Sequence, residues 1–133
     1  MKIYHCKLCG QTVEAHIEGV VTDVLTSQNK DAGTLTCCNQ AMEEVEEKSG
    51  AEGLEKHKPV LERTEKGINV KVGSIEHPMG EEHFIGFIQI IDGDKVTTKI
   101  LEHTAKPEAN FEGTYSENAY AREFCNLHGL WRN

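Results

Sequence analysis

With 133 residues and 38% apolar side chains, the chain has material for one modest core or two small ones. A formal charge of −8 argues against a nucleic-acid surface, which needs clustered Lys and Arg. The longest apolar run, Phe84-Ile-Gly-Phe-Ile, is far below the roughly 20 residues of a membrane helix, and Met1-Lys-Ile-Tyr-His-Cys lacks the apolar stretch of a signal peptide, so a soluble cytoplasmic protein without membrane contact is expected.

The first unit is bounded by cysteines. Five in all is an odd number and fits a disulfide framework poorly. Cys6-Lys-Leu-Cys9 has the spacing at which a tight turn lets two thiolates face one ion. Gly10 behind it can take a positive φ, leaving backbone N–H groups free for sulfur. Cys37 and Cys38 are adjacent, and both reach one ion only with distorted geometry. Four thiolates suit iron or zinc, and in a reducing compartment they stay available as ligands. A unit of about 46 residues is too small to hold itself by apolar burial alone, and a metal staple is a usual remedy. Residues 1–46 are therefore expected to form a four-cysteine metal domain, with a structural zinc ribbon, a redox-active C-x-x-C or a vicinal disulfide as alternatives. The acidic patch Glu43-Glu-Val-Glu-Glu47 reads as a solvated face or linker, the alternative being a docking surface for a basic electron-transfer partner.

Lys48-Ser-Gly-Ala-Glu-Gly53 reads as a linker. From residue 54 to 133 the pattern is mostly β. Val60-Leu61 supplies a short strand, and Ile68-Asn-Val-Lys-Val72 alternates as a half-buried strand should. Phe84 to Ile91 is a nearly continuous apolar run that suits an inner strand. Asp92-Gly93-Asp94 is a hairpin signal ahead of Lys95-Val-Thr-Thr-Lys-Ile-Leu101, which is rich in β-branched residues. Ala119 to Leu127 adds a further strand or connection. Many short strands with frequent turns favour an all-β sandwich.

The same stretch carries His57, His77, His83, Cys125 and His128. Pro78 and Gly80 lie in the loop between His77 and His83 and can fold both rings toward one point. Cys125-Asn-Leu-His128-Gly resembles half of a zinc finger. Five nitrogen and sulfur candidates exceed the four of a closed tetrahedral zinc site. They leave one octahedral position open, which suits a redox-active transition metal. His5, His16 and His103 are expected to be surface or satisfied core residues.

Glu55-Lys-His-Lys-Pro-Val60, Gly73-Ser-Ile-Glu-His-Pro-Met-Gly-Glu-Glu-His83 and Cys125-Asn-Leu-His-Gly-Leu-Trp131 closely resemble the iron-site motifs of superoxide reductases. Cys6-x-x-Cys-Gly and Cys37-Cys38 resemble the desulforedoxin-like domain of the two-domain class, the desulfoferrodoxins. The resemblance implies a small desulforedoxin-like domain followed by a seven-stranded immunoglobulin-like β-sandwich, and a homodimer. It further implies His57, His77, His83 and His128 as equatorial iron ligands, the first three through Nε2 and the last through Nδ1, with Cys125 axial. Glu55 matches the glutamate that occupies the sixth position in the oxidised state, and Lys56 the lysine beside the open site. Cys6, Cys9, Cys37 and Cys38 match the ligands of a second iron, with zinc or an Fe–S cluster as alternatives. The implied reaction is one-electron reduction of superoxide to hydrogen peroxide, with Fe(II) oxidised to Fe(III) and a rubredoxin-like protein as electron donor. The chain departs from the family in its longer spacer, where Val20 to Asn29 is expected to form an added hairpin, and in Asn39 and Ala41, which stand where Gly and Pro are common.

Overall fold

In a computed structural model of the chain, which describes residues 1–16, 35–50 and 53–133, almost every element is a strand. The hairpin expected over Val20 to Asn29 lies outside the described residues. The chain divides into two compact units, Met1–Glu46 and Glu47–Asn133.

The first unit contains β1 (Lys2–His5), β2 (Thr12–Ala15), β3 (Thr36–Cys37), β4 (Gln40–Ala41) and β5 (Glu43–Val45). β1 pairs antiparallel with β2 on one side and β5 on the other, and β3 and β4 form a separate hairpin. Among its described apolar residues only Ile3, Cys6 and Met42 are buried. The acidic patch is largely the edge strand β5. Glu43 meets Lys7 at 2.7 Å and Glu44 meets Lys2 at 2.8 Å, exposed pairs that each contribute about 0–1 kcal/mol.

The second unit comprises β6 (Glu47–Lys48), a single helical turn α1 (Leu54–His57), then β7 (Pro59–Thr64), β8 (Gly67–Val72), β9 (Ile85–Asp92), β10 (Lys95–Ile100), β11 (Glu108–Glu112), β12 (Tyr120–Cys125) and β13 (Gly129–Arg132). Two sheets result, in the orders β11-β8-β7 and β10-β9-β12-β13-β6. The seven strands β7 to β13 pair antiparallel and make the sandwich, as expected of an immunoglobulin-like fold; β6 adds a two-residue parallel edge to β13. Lys48, which reads as linker in the sequence, thus pairs with Trp131. A two-residue strand is too short to leave a period-two signature.

The core follows from the alternation. Ile68, Val70 and Val72 of β8 face Ile85, Ile88 and Ile90 of β9, with Ala109, Phe111, Ala119, Ala121 and Cys125 completing the cluster. β9 is buried on both faces, which is why its sequence is apolar but for Gln89 as far as Ile91. On its second face Phe87 stacks on Phe124, centroids 5.5 Å apart. The polar residues there are satisfied in a ladder. Arg122 Nε donates to Gln89 Oε1 at 2.6 Å, Gln89 Nε2 donates to Thr98 Oγ1 at 2.9 Å, and Arg122 Nη1 meets Glu47 at 2.8 Å. No described helix is long and apolar enough to cross a membrane.

Candidate metal centres

The ends of β8, β9, β12 and β13 meet at one end of the sandwich, and the residues singled out by sequence converge there. His57 closes α1, His77 and His83 lie in the β8–β9 connection, Cys125 ends β12 and His128 lies in the turn before β13. The pairing changes register at the cysteine: Phe124 pairs with Phe87, but Cys125 pairs with Ile85, skipping Gly86. The extra residue, Gly86, bends β9 locally, and Cys125 opposite it is fully buried among core residues.

Two backbone devices bring the loops together. Gly73 adopts φ +82°, and a Cβ there would stand 2.8 Å from both the Glu55 and Lys56 carbonyls. Only glycine allows this approach, and it lets Ile75 N–H and the Ser74 hydroxyl donate to the Glu55 carbonyl at 2.9 and 3.3 Å. Asn126 ties the other two loops. Its Oδ1 accepts from Phe84 N–H and its Nδ2 donates to the Glu82 carbonyl, both at 2.9 Å, while its own N–H donates to the Phe84 carbonyl at 3.1 Å.

The four imidazoles form a closed cycle of edge-on neighbours. Centroid separations are 4.9 Å for His57–His77, 4.5 Å for His77–His83, 4.9 Å for His83–His128 and 4.6 Å for His128–His57. One donor atom from each ring and the Cys125 sulfur all lie within 4.8 Å of one another. His57 Nδ1 is 2.9 Å from the Gly53 carbonyl, which points Nε2 inward toward His128 Nδ1 at 2.9 Å. His128 Nδ1 is also 3.4 Å from Cys125 Sγ. The buried His77 Nδ1 and Nε2 and His83 Nε2 have no hydrogen-bond partner. Burial lowers the pKa of His57 and His83 and pushes His77 down to about 4, so these rings are neutral near pH 7 with lone pairs available. Burial pushes the Cys125 thiol up, a shift that a bound cation inverts. Buried, unpaired lone pairs converging from nitrogen and sulfur fit a transition-metal ion.

Glu55 and Lys56 both have exposed side chains on α1, beside buried His57. The charge of Lys56 reaches the cluster: after burial and the His128 charge, it is the next cause that lowers His83. Several residues at this site carry no signal of their own in the sequence. Trp131 stacks on His57, centroids 4.8 Å apart and planes 17° apart. Glu123, two residues before Cys125, is fully buried with neither carboxyl oxygen hydrogen-bonded, and burial raises its carboxyl well above the usual range. His5, His16 and His103 belong to neither metal-type cluster among the described residues.

Cys6, Cys9, Cys37 and Cys38 form the second cluster. The first pair sits on a turn closed by Gly10 N–H to the Cys6 carbonyl at 2.9 Å, with Gly10 at φ +76°. The second pair sits on the β3–β4 hairpin, where Cys38 and Asn39 form the two-residue loop with φ +52° and +60°. Positive φ at both loop residues is the type I′ geometry; asparagine tolerates it, whereas Cys38 is held there at a cost of about 1–2 kcal/mol. Cys9 Sγ lies 3.5 Å from Cys37 Sγ, which is 3.9 Å from Cys38 Sγ. The Cys9 and Leu8 N–H groups draw Cys6 down to about 6, while its thiol neighbours, Cys9 foremost, push Cys37 up to about 12. Four sulfurs with a pre-ionised member fit a thiolate-bound metal.

The family model described as Desulfoferrodoxin matches residues 49–133. A desulfoferrodoxin homolog of Archaeoglobus fulgidus is 41% identical over 133 residues, covering 100% of this chain and 96% of its own. One from Methanothermobacter thermautotrophicus is 42% identical over 130 residues, covering 98% and 95%. The crystal structure of the superoxide reductase from Treponema pallidum superposes with a TM-score of 0.72 at 26% identity, covering 99% of this chain and 95% of that one. With its family model spanning the whole β-sandwich and full-length relatives above 40% identity, the chain belongs to the desulfoferrodoxin family.

Proposed function

We propose that the chain is a superoxide reductase, catalysing the one-electron reduction of superoxide to hydrogen peroxide. The observation that carries this reading is the convergence of four imidazoles and one cysteine sulfur within 4.8 Å. That is one donor more than a closed tetrahedral zinc site takes, and it suits six-coordinate iron with one position left for a small anion. Nε2 of His57, His77 and His83, Nδ1 of His128 and Sγ of Cys125 would hold the ion. Iron held by these residues would supply the one electron that, with two protons, takes superoxide to hydrogen peroxide.

The chain's own residues account for access and selectivity. Lys56, exposed on α1, offers a positive charge at the mouth of the site in a chain of net charge −8. Local fields of this kind raise association rates by roughly 10- to 1000-fold. Glu55, its neighbour, is the carboxylate proposed to close the open position after oxidation. Burial of His57, His77 and Cys125 keeps bulk water from the inner side of the cluster.

Cys6, Cys9, Cys37 and Cys38 are proposed to hold a second iron, with zinc or an Fe–S cluster as the other options for the same sulfurs. The exposure of Cys9 and Cys38 favours a second reading in which this centre exchanges electrons with a protein carrier and serves electron transfer. A rubredoxin-like donor, a homodimer and a cytoplasmic setting complete the proposal.

Pulse radiolysis of the reduced, iron-loaded protein tests the reaction. Superoxide should disappear with one hydrogen peroxide formed per superoxide consumed and no oxygen released. Oxygen evolution would mark a dismutase, and an unaccelerated decay would leave the four-cysteine electron-transfer reading in its place.

A further inference from the structure

Lys48 closes a short chain of contacts behind the four-histidine cluster. Its Nζ donates to the His128 carbonyl at 2.8 Å and stands 5.3 Å from the centroid of the Trp131 ring. Trp131 Nε1 donates to that same carbonyl at 3.1 Å, and the Trp131 ring stacks on His57. A carbonyl oxygen has two lone pairs, and both are engaged here. The turn that presents His128 Nδ1 to the cluster is therefore gripped at its own backbone by two side chains, one of which also packs on a second histidine of the cluster.

The strand that delivers Lys48 is itself anchored. β6 pairs in parallel with β13, Leu130 opposite Glu47 and Trp131 opposite Lys48. Glu47 meets the buried Arg122 at 2.8 Å and Arg132 at 3.7 Å. The sandwich does not need this strand for closure, because β13 is already paired with β12 along its length. What β6 adds is an ammonium group held at the rear of the site. Nothing in the motifs that carry the family resemblance includes Lys48.

We propose that Lys48 is a positioning residue for the metal centre: it fixes the His128 carbonyl and sets a permanent positive charge behind His128, Trp131 and His57. The role rests on reading His57, His77, His83, Cys125 and His128 as that centre. A fixed cation on this side favours the less positive, reduced state of an ion held there, since the attraction of the ligand set for the extra positive charge is partly offset. Neutralising Lys48 should also free the His128 turn, so that a bound ion leaves more easily.

The full chain is compared as wild type, Lys48→Met and Lys48→Arg, the exposed position leaving the fold intact in each. Two readouts are taken: the midpoint potential of the iron-loaded protein, followed at the absorption band that Cys125→Ser removes, and the rate at which Co(II)-loaded protein loses that same band to a chelator. Lys48→Met should lower the midpoint potential and release Co(II) several-fold faster, and Lys48→Arg, which keeps the charge and a donor, should restore both toward wild type. An unchanged potential and release rate in Lys48→Met would overturn the proposal, as would equal shifts in the Met and Arg variants. A wild-type chain that develops, with either ion, no band that Cys125→Ser removes would overturn the metal centre itself, and the role of Lys48 with it.

Discussion

His57 Nε2 stands 2.9 Å from His128 Nδ1, while the opposite nitrogen of His57 is committed to the Gly53 carbonyl. Burial lowers the pKa of His57, so its ring is neutral with the proton on Nδ1 and a lone pair on Nε2. Two lone pairs do not face each other at hydrogen-bond distance. Either His128 carries its proton on Nδ1 and donates it, or a cation lies between the two nitrogens.

This geometry makes metal binding a tautomer switch at one histidine and not at the other. In protein stripped of metal, His128 should be the Nδ1–H tautomer, donating to His57. Addition of Zn(II) should move that proton to Nε2, while His57 remains Nδ1–H in both states. Long-range nitrogen–proton correlation spectra distinguish the tautomers directly. If His128 held the same tautomer with and without metal, ligation through Nδ1 would be wrong.

Asn126 holds two of the three ligand loops through side-chain hydrogen bonds to Phe84 N–H and the Glu82 carbonyl. Asn126→Ala should cost about 1–3 kcal/mol, because it strands a part-buried N–H and a carbonyl. Denaturant unfolding of the metal-free protein reads that loss. Since the loop it releases carries His83, metal affinity should fall as well. Asn126→Asp, which keeps the acceptor for Phe84 but turns an oxygen toward the Glu82 carbonyl, should rescue neither in full.

Much of this was legible in the chain itself, and the limits are physical. The alternation in Ile68 to Val72 gives β8, the apolar run from Phe84 gives β9, and the Asp92-Gly93-Asp94 signal gives a turn with Gly93 at φ +63°. β11 and β13 left no comparable mark: Glu108–Glu112 holds only two buried side chains, and Gly129–Arg132 is four residues long. The five candidate ligands at the sandwich end could be named because their residue types are rare and their spacings peculiar. Lys48 could not, and Asn126 and Trp131 stood only as members of the Cys125–Trp131 motif with no role of their own, because each acts through a backbone group or a ring face that only the fold brings near. The Phe124–Cys125 bulge is likewise a matter of register between β12 and β9, which one strand's sequence does not encode.

Away from both centres, Asp92 gives the sandwich an acid-sensitive tie. Its carboxylate accepts from the Ser116 hydroxyl and from Ser116 N–H, the latter at 2.8 Å, and these bonds hold its pKa below the usual carboxylate value, with the Lys95 and Arg63 charges assisting. The folded state therefore favours the ionised form. The stabilisation is fully present above the unfolded-state pKa and is lost as pH falls through the lower, folded-state pKa. Asp92→Asn should melt below wild type at pH 7, and the gap in Tm should close toward pH 3. A gap that stayed constant across that range would show that the carboxylate's charge contributes nothing.

Lys56 is the residue on which the proposed steering of superoxide depends. It is exposed, its charge reaches His83, and the chain around it is acidic. Lys56→Ala should slow the second-order reaction with superoxide about tenfold, within the range that local fields produce. Metal content and the thiolate absorption should stay unchanged. The more telling measurement is ionic strength: the Debye length falls from about 30 Å at 0.01 M salt to about 8 Å at 0.15 M, so the wild-type rate should drop as salt rises and the variant's should drop less. Lys56→Arg, with the same charge, should keep both the rate and its salt dependence. If Lys56→Ala reacts at the wild-type rate, the attraction of the anion must come from the metal centre alone, and the exposed lysine is an ordinary solvated side chain.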